Sequence, residues 1–156
     1  MASSRGFDDK PHAFNPDDVP KPPPTYNQVC ITPLLHTSKL ITLAGQTGIT
    51  PETGKVASRS IPKQAQQAYK TVHAALRAAG AHPRDIIRVR HYIVTETGDP
   101  EVDRIEVVER GWGEHWMEFM DREAEGHRPP DTVLGVASLA KKELLYEVEV
   151  WAVVHG

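Results

Sequence analysis

Two carboxylates near the end of the chain have the residue type and the spacing of acid–base chemistry. Glu147 and Glu149 lie two residues apart inside the apolar segment 144–154, LLYEVEVWAVV. Residues two apart on a β-strand project from one face of the sheet, and carboxylates are costly to bury unless they are paired. The pattern indicates an open polar cleft or an interface on that face, with a solvated sheet face as the alternative.

The other reactive residue types give weaker patterns. Cys30 is the single cysteine, and nothing near it in sequence supplies the cation or helix N-terminus that activates a thiol. The eight histidines show no metal-ligand spacing. His73 has no partner four residues later on its helix, and His91 alternates with Val89 and Ile93, as a packed, hydrogen-bonded strand histidine does. We therefore interpret Cys30 as a small buried residue and expect no metal and no cofactor.

One glycine-rich segment has the composition of a phosphate loop but not its spacing. Five residues separate Gly48 from the pair Gly54-Lys55, whereas a P-loop has four, and Val56 stands where a hydroxyl residue is required. Dinucleotide fingerprints, nucleophile elbows and zincin motifs are absent from the sequence. The sequence therefore contains no motif that would indicate a P-loop, dinucleotide-binding, α/β-hydrolase or zincin enzyme.

The composition further restricts the kind of protein that this sequence can encode. The chain has 156 residues, a net charge of −3 and one cysteine. This length corresponds to one domain, and the acidic balance argues against a nucleic-acid partner held by bulk basic charge. Apolar runs are shorter than the ~18 residues of a membrane span, and the first residues lack the apolar segment of a secretory signal. We expect a cytoplasmic protein with no membrane or nucleic-acid partner.

The elements that must position these residues follow a proline-rich start. Residues 1–25 contain six prolines among charged residues and predict an extended, partly mobile arm, whereas residues 26–156 form the domain. Turn residues after Gly45 predict a hairpin around 52–54. β-rich segments predict strands over 29–31, 39–44, 86–95, 132–139 and 144–154.

Two helices are predicted between the strands. Ser60 as N-cap and Pro62 in the first turn begin a helix whose apolar residues recur every three or four positions, and Gly80 ends it. A second helix begins at Pro100, with an apolar stripe over 102–119. The order of elements predicts an α+β fold with both helices on one face of a mixed sheet.

Four short segments, in order along the chain, form a recognisable set. They are LAGQTG at 43–48 with PETGKV at 51–56, QAQQA at 64–68 with AAGA at 78–81, DIIRV at 85–89, and the closing stretch 129–153 with GVASLA and ELLYEVEVWAV. This set resembles the Rid family (YjgF/RidA, also described as endoribonuclease L-PSP). The resemblance extends over about residues 26–154.

The resemblance implies a chorismate-mutase-like α+β fold, assembled as a homotrimer with a barrel-like interior and with small-molecule clefts between the subunits. It also implies hydrolysis of enamines and imines, such as 2-aminoacrylate, to 2-oxo acids and ammonia. The expected partners are therefore a small-molecule substrate and two further copies of the chain.

One position departs from the family pattern. The family binds the substrate carboxylate with an arginine in a Pro-x-Arg-Ser/Thr segment, and the matching position here is Asp131, in the segment PPDT at 129–132. Two negative charges about 4 Å apart repel by about 4 kcal/mol at an effective dielectric near 20, which is roughly a thousandfold in affinity. We therefore expect a substrate that lacks the usual carboxylate, unless another cation neutralises Asp131.

Other positions match the functional residues that the resemblance implies. Glu147 matches the glutamate that holds the attacking water, Gly45 the glycine whose backbone lines the cleft, and Tyr26 an early cleft tyrosine. The remaining expected substrate-binding residues are Thr132, which keeps the hydroxyl after the arginine position, Glu109, in place of a helix asparagine, and Arg90, on the third matching segment.

Three functions follow as hypotheses. The first is an enzyme in which Asp131 and Glu147 serve as catalytic acid and base, because two carboxylates in one cleft push their pKa values apart. Its substrate is an imine, enamine or activated carbonyl, and specialised metabolism would fit. The second is a non-catalytic trimer that binds a small ligand. The third, RNA cleavage, is disfavoured by the net charge of −3 and the missing basic and aromatic stripe.

Overall fold

The computed structural model of the chain describes residues 9–156. Within them it forms seven strands and three α-helices, and single 3-10 turns lie at Pro83–Asp85 and Val107–Glu109. The strands are β1 (His12–Phe14), β2 (Val29–Ile31), β3 (Ser38–Thr42), β4 (Gln46–Thr47), β5 (Ile86–Val94), β6 (Asp131–Val136) and β7 (Tyr146–His155). The helices are α1 (Ile61–Ala78), α2 (Pro100–Asp103) and α3 (Trp112–Glu123).

The main sheet confirms the predicted α+β fold. Its strand order is β3-β7-β5-β6, and β4 pairs with the first residues of β7. β7 is antiparallel to β3 and β5, whereas β5 and β6 are parallel. A parallel pair needs a crossover connection, which the segment containing α2 and α3 supplies. The apolar character of β7 fits its position between β3 and β5.

The first predicted helix is confirmed. Pro62 lies in the first turn of α1, where its missing N–H costs nothing. Ala65, Ala68 and Val72 are fully buried on one face, and the small alanines let the helix lie close to the sheet. Beyond the helix, Gly80 has a φ of 75°, which glycine adopts without steric cost.

The second predicted helix is wrong as a single element. α2 ends at Asp103, a 3-10 turn follows, and α3 begins at Trp112. Gly111, just before α3, has a left-handed φ of 78°, which interrupts helical geometry. The apolar spacing continues across this break, because residues of both parts pack under the same sheet. The apolar periodicity alone therefore predicted one helix where the structure has two.

The described part of the proline-rich arm is attached to the domain. β1 pairs with β2 in an antiparallel ladder. Lys10 Nζ lies 2.6 Å from Asp85 Oδ1, and the Arg84 guanidinium donates to the Pro11 carbonyl at 2.7 Å. Residues 1–8 of the predicted arm lie outside the described residues. Over residues 9–156, none of the helices has the length and apolarity needed to cross a membrane.

The main sheet has two faces of opposite character. α1 and α3 pack on one face, where the inward residues of β5 and β7 are fully buried, including Val89, Ile93, Val148 and Val150. We call the other side the open face. It carries Arg88, Arg90, Tyr92, Thr132, Glu147 and Glu149, together with exposed apolar residues at Leu40, Leu134 and Trp151.

Candidate functional site

Polar side chains of three adjacent strands meet on the open face. Tyr92 of β5 pairs with Glu147 of β7, and Arg90 lies between Glu149 of β7 and Thr132 of β6. Residues directly opposite one another on paired strands project to the same side. Strand alternation therefore places these five side chains together, as the spacing of the two glutamates predicted for their own strand.

Glu147 is the carboxyl group of this face that is best suited to acid–base chemistry. It lies opposite Thr47 of β4, and a Cβ atom at Gly45 would overlap its carboxyl group. Burial, and to a smaller extent the charge of Glu149, raises the pKa of Glu147. Among residues 9–156, no hydrogen bond or ion pair holds this carboxylate. It is available to exchange a proton with a bound molecule.

The neighbouring polar groups are engaged with one another. Arg90 Nη1 lies 3.6 Å from Glu149 Oε1, and the Tyr92 hydroxyl donates to Glu149 Oε2 at 3.1 Å. Arg88 donates from Nη2 to Thr132 Oγ1 at 2.7 Å. The open face thus presents two guanidinium groups from alternate positions of β5, which lie two and four residues along the strand from Tyr92, the partner of Glu147.

Asp131 lies on the opposite face, which corrects the predicted pairing with Glu147 in one cleft. It pairs with Val89 in the β5–β6 register, and its side chain is only 1% exposed. Its Oδ2 atom lies 3.3 Å from Nε2 of the fully buried His91. Since successive strand residues point to opposite faces, the neighbour of Thr132 cannot share its face. Matching the family pattern position by position did not account for this alternation.

A chain of buried polar groups continues inward from Asp131. His91 Nδ1 lies 2.6 Å from the Tyr146 hydroxyl, which lies 2.8 Å from the Tyr69 hydroxyl, and Tyr69 donates to the Trp112 carbonyl at 3.3 Å. The contact between Asp131 and His91 is close but lacks the alignment of a hydrogen bond. Burial lowers the pKa of His91, and Asp131 opposes that shift. The prediction of a packed, hydrogen-bonded His91 is confirmed.

Tyr26 lies far from Glu147 within the chain. The next residue, Asn27, donates its backbone N–H to the Arg128 carbonyl at 3.1 Å. Arg128 precedes β6, whereas Glu147 is level with Leu134 through their common partner on β5. Six residues separate these two levels, four of them in β6, which corresponds to at most about 20 Å at the rise of a strand. One chain therefore does not bring Tyr26 to Glu147.

Glu109 is also placed elsewhere. It ends the 3-10 turn after α2 and lines a cleft of about 750 Å³ with Pro62, Asp99 and Arg110. This cleft lies between the start of α1 and the connection from α2 to α3, in the helix layer. Of the seven expected site residues, the structure brings four together on or beside the open face: Gly45, Arg90, Thr132 and Glu147.

Sequence reasoning missed two polar residues of this face, Arg88 and Tyr92. Their signal is the alternation of Arg88, Arg90 and Tyr92 along β5, which matches the two-residue period of a strand with one polar face. The sequence analysis relied on the apolar residues of this strand, which indicate only its buried face.

Comparison with known proteins agrees with this fold. The profile of the family described as endoribonuclease L-PSP matches residues 18–154. The chain belongs to this family. A Rid-family protein of unknown function from Yersinia pestis, YyfB, is 25% identical in sequence and superposes with a TM-score of 0.73 over 93% of this chain and 99% of that one.

Two further proteins are similar to this chain. A RutC family protein from Pyrococcus abyssi is 31% identical over 77 residues, which is 49% of this chain and 57% of that protein. The chain thus matches little more than half the length of this relative. TdcF of Escherichia coli, crystallised with bound serine, shares the fold at 23% identity and a TM-score of 0.60 over 85% of this chain and 96% of TdcF. Membership of this Rid (endoribonuclease L-PSP) family supports a role in processing or binding a small molecule.

Proposed function

We propose that this Rid-family chain forms a homotrimer and hydrolyses a small imine or enamine in a cleft built around Glu147. The observation that carries the proposal is the state of that carboxyl group. It is half-buried, it has a raised pKa, and it lacks an internal partner among residues 9–156. A general acid–base group needs a pKa shifted toward the working pH and a free path to its proton, and Glu147 meets both requirements.

The proposed reaction adds water across a carbon–nitrogen double bond, which an enamine acquires first when a proton moves from its nitrogen to its β-carbon. Glu147 removes a proton from water while the water oxygen bonds to the C=N carbon, and it then gives this proton to the nitrogen. A second proton passes from the new hydroxyl to the nitrogen as the C–N bond breaks. The products are a carbonyl compound and ammonia, and the glutamate returns to its ionised form. Water is the only co-reactant.

The position of Asp131 changes the proposed range of substrates. The expectation of a substrate without a carboxylate rested on the charge of Asp131, which is buried on the helix face. The open face instead carries Arg88 and Arg90, and a guanidinium binds a carboxylate through two charge-assisted hydrogen bonds. We therefore include 2-imino acids among the substrates, with Arg88, held at Thr132, as the carboxylate-binding group.

Exposed apolar side chains support the trimer. Leu40, Trp151 and Leu134 on the open face are 60%, 39% and 36% exposed. Large apolar residues exposed on the same sheet face are what a face covered by another protein would carry. In the proposed assembly, the open face meets a neighbouring subunit, and Tyr26 and Glu109 reach the cleft from that neighbour.

The test is imine hydrolysis by the full chain. An amino-acid oxidase generates 2-imino acids in place, and 2-oxo acid formation is followed above the spontaneous rate. We expect acceleration by the wild type and a loss of about 10²- to 10⁴-fold in Glu147→Gln, the usual contribution of an acid–base group. Glu149→Gln is the matched control, since this carboxylate is already engaged by Arg90 and Tyr92, and it should retain most activity.

The other hypotheses predict different results. If a folded trimer accelerates neither a 2-imino acid nor a neutral imine, catalysis is refuted and the ligand-binding trimer is favoured. If Glu147→Gln keeps wild-type activity, the assignment of the acid–base group is wrong. RNA is incubated in parallel, and cleavage of RNA without imine hydrolysis would favour the third hypothesis.

A further inference from the structure

Three potential metal ligands converge on the helix side of the molecule. Donor atoms of His73, His82 and Glu123 all lie within 4.8 Å of one another, and His73 Nδ1 is 3.8 Å from Glu123 Oε2. We propose that these three residues bind a divalent transition-metal ion of the zinc class. This site is separate from Glu147 and does not depend on the proposed hydrolysis.

The donor distances are close to those of a metal site. Zinc bonds of about 2.0–2.1 Å in a tetrahedral site place neighbouring ligand atoms about 3.4 Å apart. The His73–Glu123 separation of 3.8 Å exceeds this by a few tenths of an ångström. All donor atoms lie within 4.8 Å of one another, so every other separation exceeds it by at most about 1.4 Å. Metal binding requires side-chain rotations that shorten the separations by these amounts.

The three ligands come from three separate elements, each with a fixed backbone. His73 lies within α1, and Glu123 is the last residue of α3. His82 directly precedes the 3-10 turn at Pro83–Asp85, where its backbone N–H donates to Asp85 Oδ2 at 2.9 Å. An ion bound here would join the two long helices to the start of β5.

The side chains are already oriented toward one another. The rings of His73 and His82 are nearly perpendicular, at 84° and 5.6 Å between centroids, and His73 also packs edge-on against Phe119. Arg122 donates from Nε to Glu123 Oε1 at 2.8 Å, which leaves Oε2 facing His73.

The donor set selects the class of metal. Two imidazoles and one carboxylate suit zinc and similar ions, whereas calcium and magnesium prefer oxygen ligands alone. Three protein ligands leave a fourth position for water or a bound molecule. His73 also lines a groove of about 240 Å³ between α1 and α3, which gives such a molecule a route to the ion. The expectation of no metal site came from sequence spacing, and residues this far apart escape that criterion.

The test is metal binding by the full chain without a polyhistidine tag. After treatment with a chelator, the protein is dialysed against zinc chloride and its metal content is measured, and cobalt(II) is titrated in parallel by visible absorption. We expect one ion per chain and a higher thermal midpoint with zinc. Glu123→Gln and His82→Asn should each weaken binding by more than about 100-fold, since even outer partners of metal ligands cost 10- to 100-fold.

Two controls keep the result interpretable. His115→Asn changes a histidine of the same groove that pairs with Glu118 at 3.5 Å and lies outside the cluster, so it should bind zinc as the wild type does. His82→Asn keeps a residue suited to the start of a helical turn, so it should fold normally. The proposal is overturned if the wild type binds neither zinc nor cobalt, or if both ligand variants keep wild-type affinity.

Discussion

Replacing Asp131 with arginine tests which face of the sheet this position occupies. On the open face, the new guanidinium would lie near Glu147 and restore the arginine of the family pattern. In the structure, however, the Asp131 side chain is 1% exposed and 3.3 Å from His91. The substitution would therefore place a cation under the helices, beside an imidazole and without a carboxylate, and we expect it to destabilise the fold.

The size of this effect follows from burial. Leaving the new charge buried and uncompensated costs about 3–5 kcal/mol, and forcing a larger side chain into a packed core adds about 1–3 kcal/mol. Native domains are stable by only about 5–15 kcal/mol. At about 2–4 °C per kcal/mol for a chain of this size, Asp131→Arg should lower the thermal midpoint by at least about 8 °C or prevent folding.

The assay is thermal unfolding followed by circular dichroism at neutral pH, with gel filtration to report assembly. Asp131→Asn keeps the shape of the side chain and should cost about 1 kcal/mol. Thr132→Arg places the same cation one residue later, on the open face, where it loses the Arg88 hydrogen bond and lies opposite Arg90, and it should cost only about 1–2 kcal/mol. The reverse pattern, with a stable Asp131→Arg and a damaged Thr132→Arg, would show that the strand register is shifted by one residue.

Three further predictions concern other positions. Burial lowers the pKa of His127 from 6.5 to about 4, so the unfolded chain takes up the proton first on acidification. The contribution of neutral His127 to the free energy of unfolding is then fully present above about pH 6.5 and falls by up to about 3 kcal/mol toward pH 4. Urea titrations across this pH range should show a smaller pH dependence of the free energy of unfolding in His127→Gln, and an equal dependence would contradict the prediction. Gly45→Ala should reduce imine hydrolysis at least about tenfold with little loss of stability, because the new Cβ displaces the Glu147 carboxyl group; unchanged turnover would contradict this. Tyr146→Phe should cost about 1–3 kcal/mol in chemical denaturation by breaking the buried polar chain, and lost activity at unchanged stability would argue against a purely structural role.

Local sequence features predicted the elements whose signals are local. Pro62 near the start, Gly80 after the end and the three- and four-residue spacing between them defined α1 closely. Strands β3, β5, β6 and β7 of the main sheet were found from their β-branched runs, within a few residues of their ends, whereas β4 lies in the segment that was predicted as turns. The break between α2 and α3 was missed because the eight residues 104–111 leave the α-helix without changing the apolar spacing around them.

The candidate site, like the fold, was predicted correctly only where the signal is local in sequence. The spacing of Glu147 and Glu149 indicated a shared polar face, because alternation within one strand is a local property. The partnership of Asp131 and Glu147 depended instead on how three strands align, and in the β5–β6 register Asp131 faces the helices. Position-by-position matching preserves residue identity but carries no information about the face.

The sequence by itself determined the fold class, the first helix, the family resemblance and the polar face around Glu147, since each depends on residue types within a short span. Only the tertiary structure decided that Asp131 pairs with His91 and that His73, His82 and Glu123 meet. These contacts join residues between 9 and 50 positions apart. Their geometry is set by strand register and helix packing, which many weak interactions along the whole chain determine together.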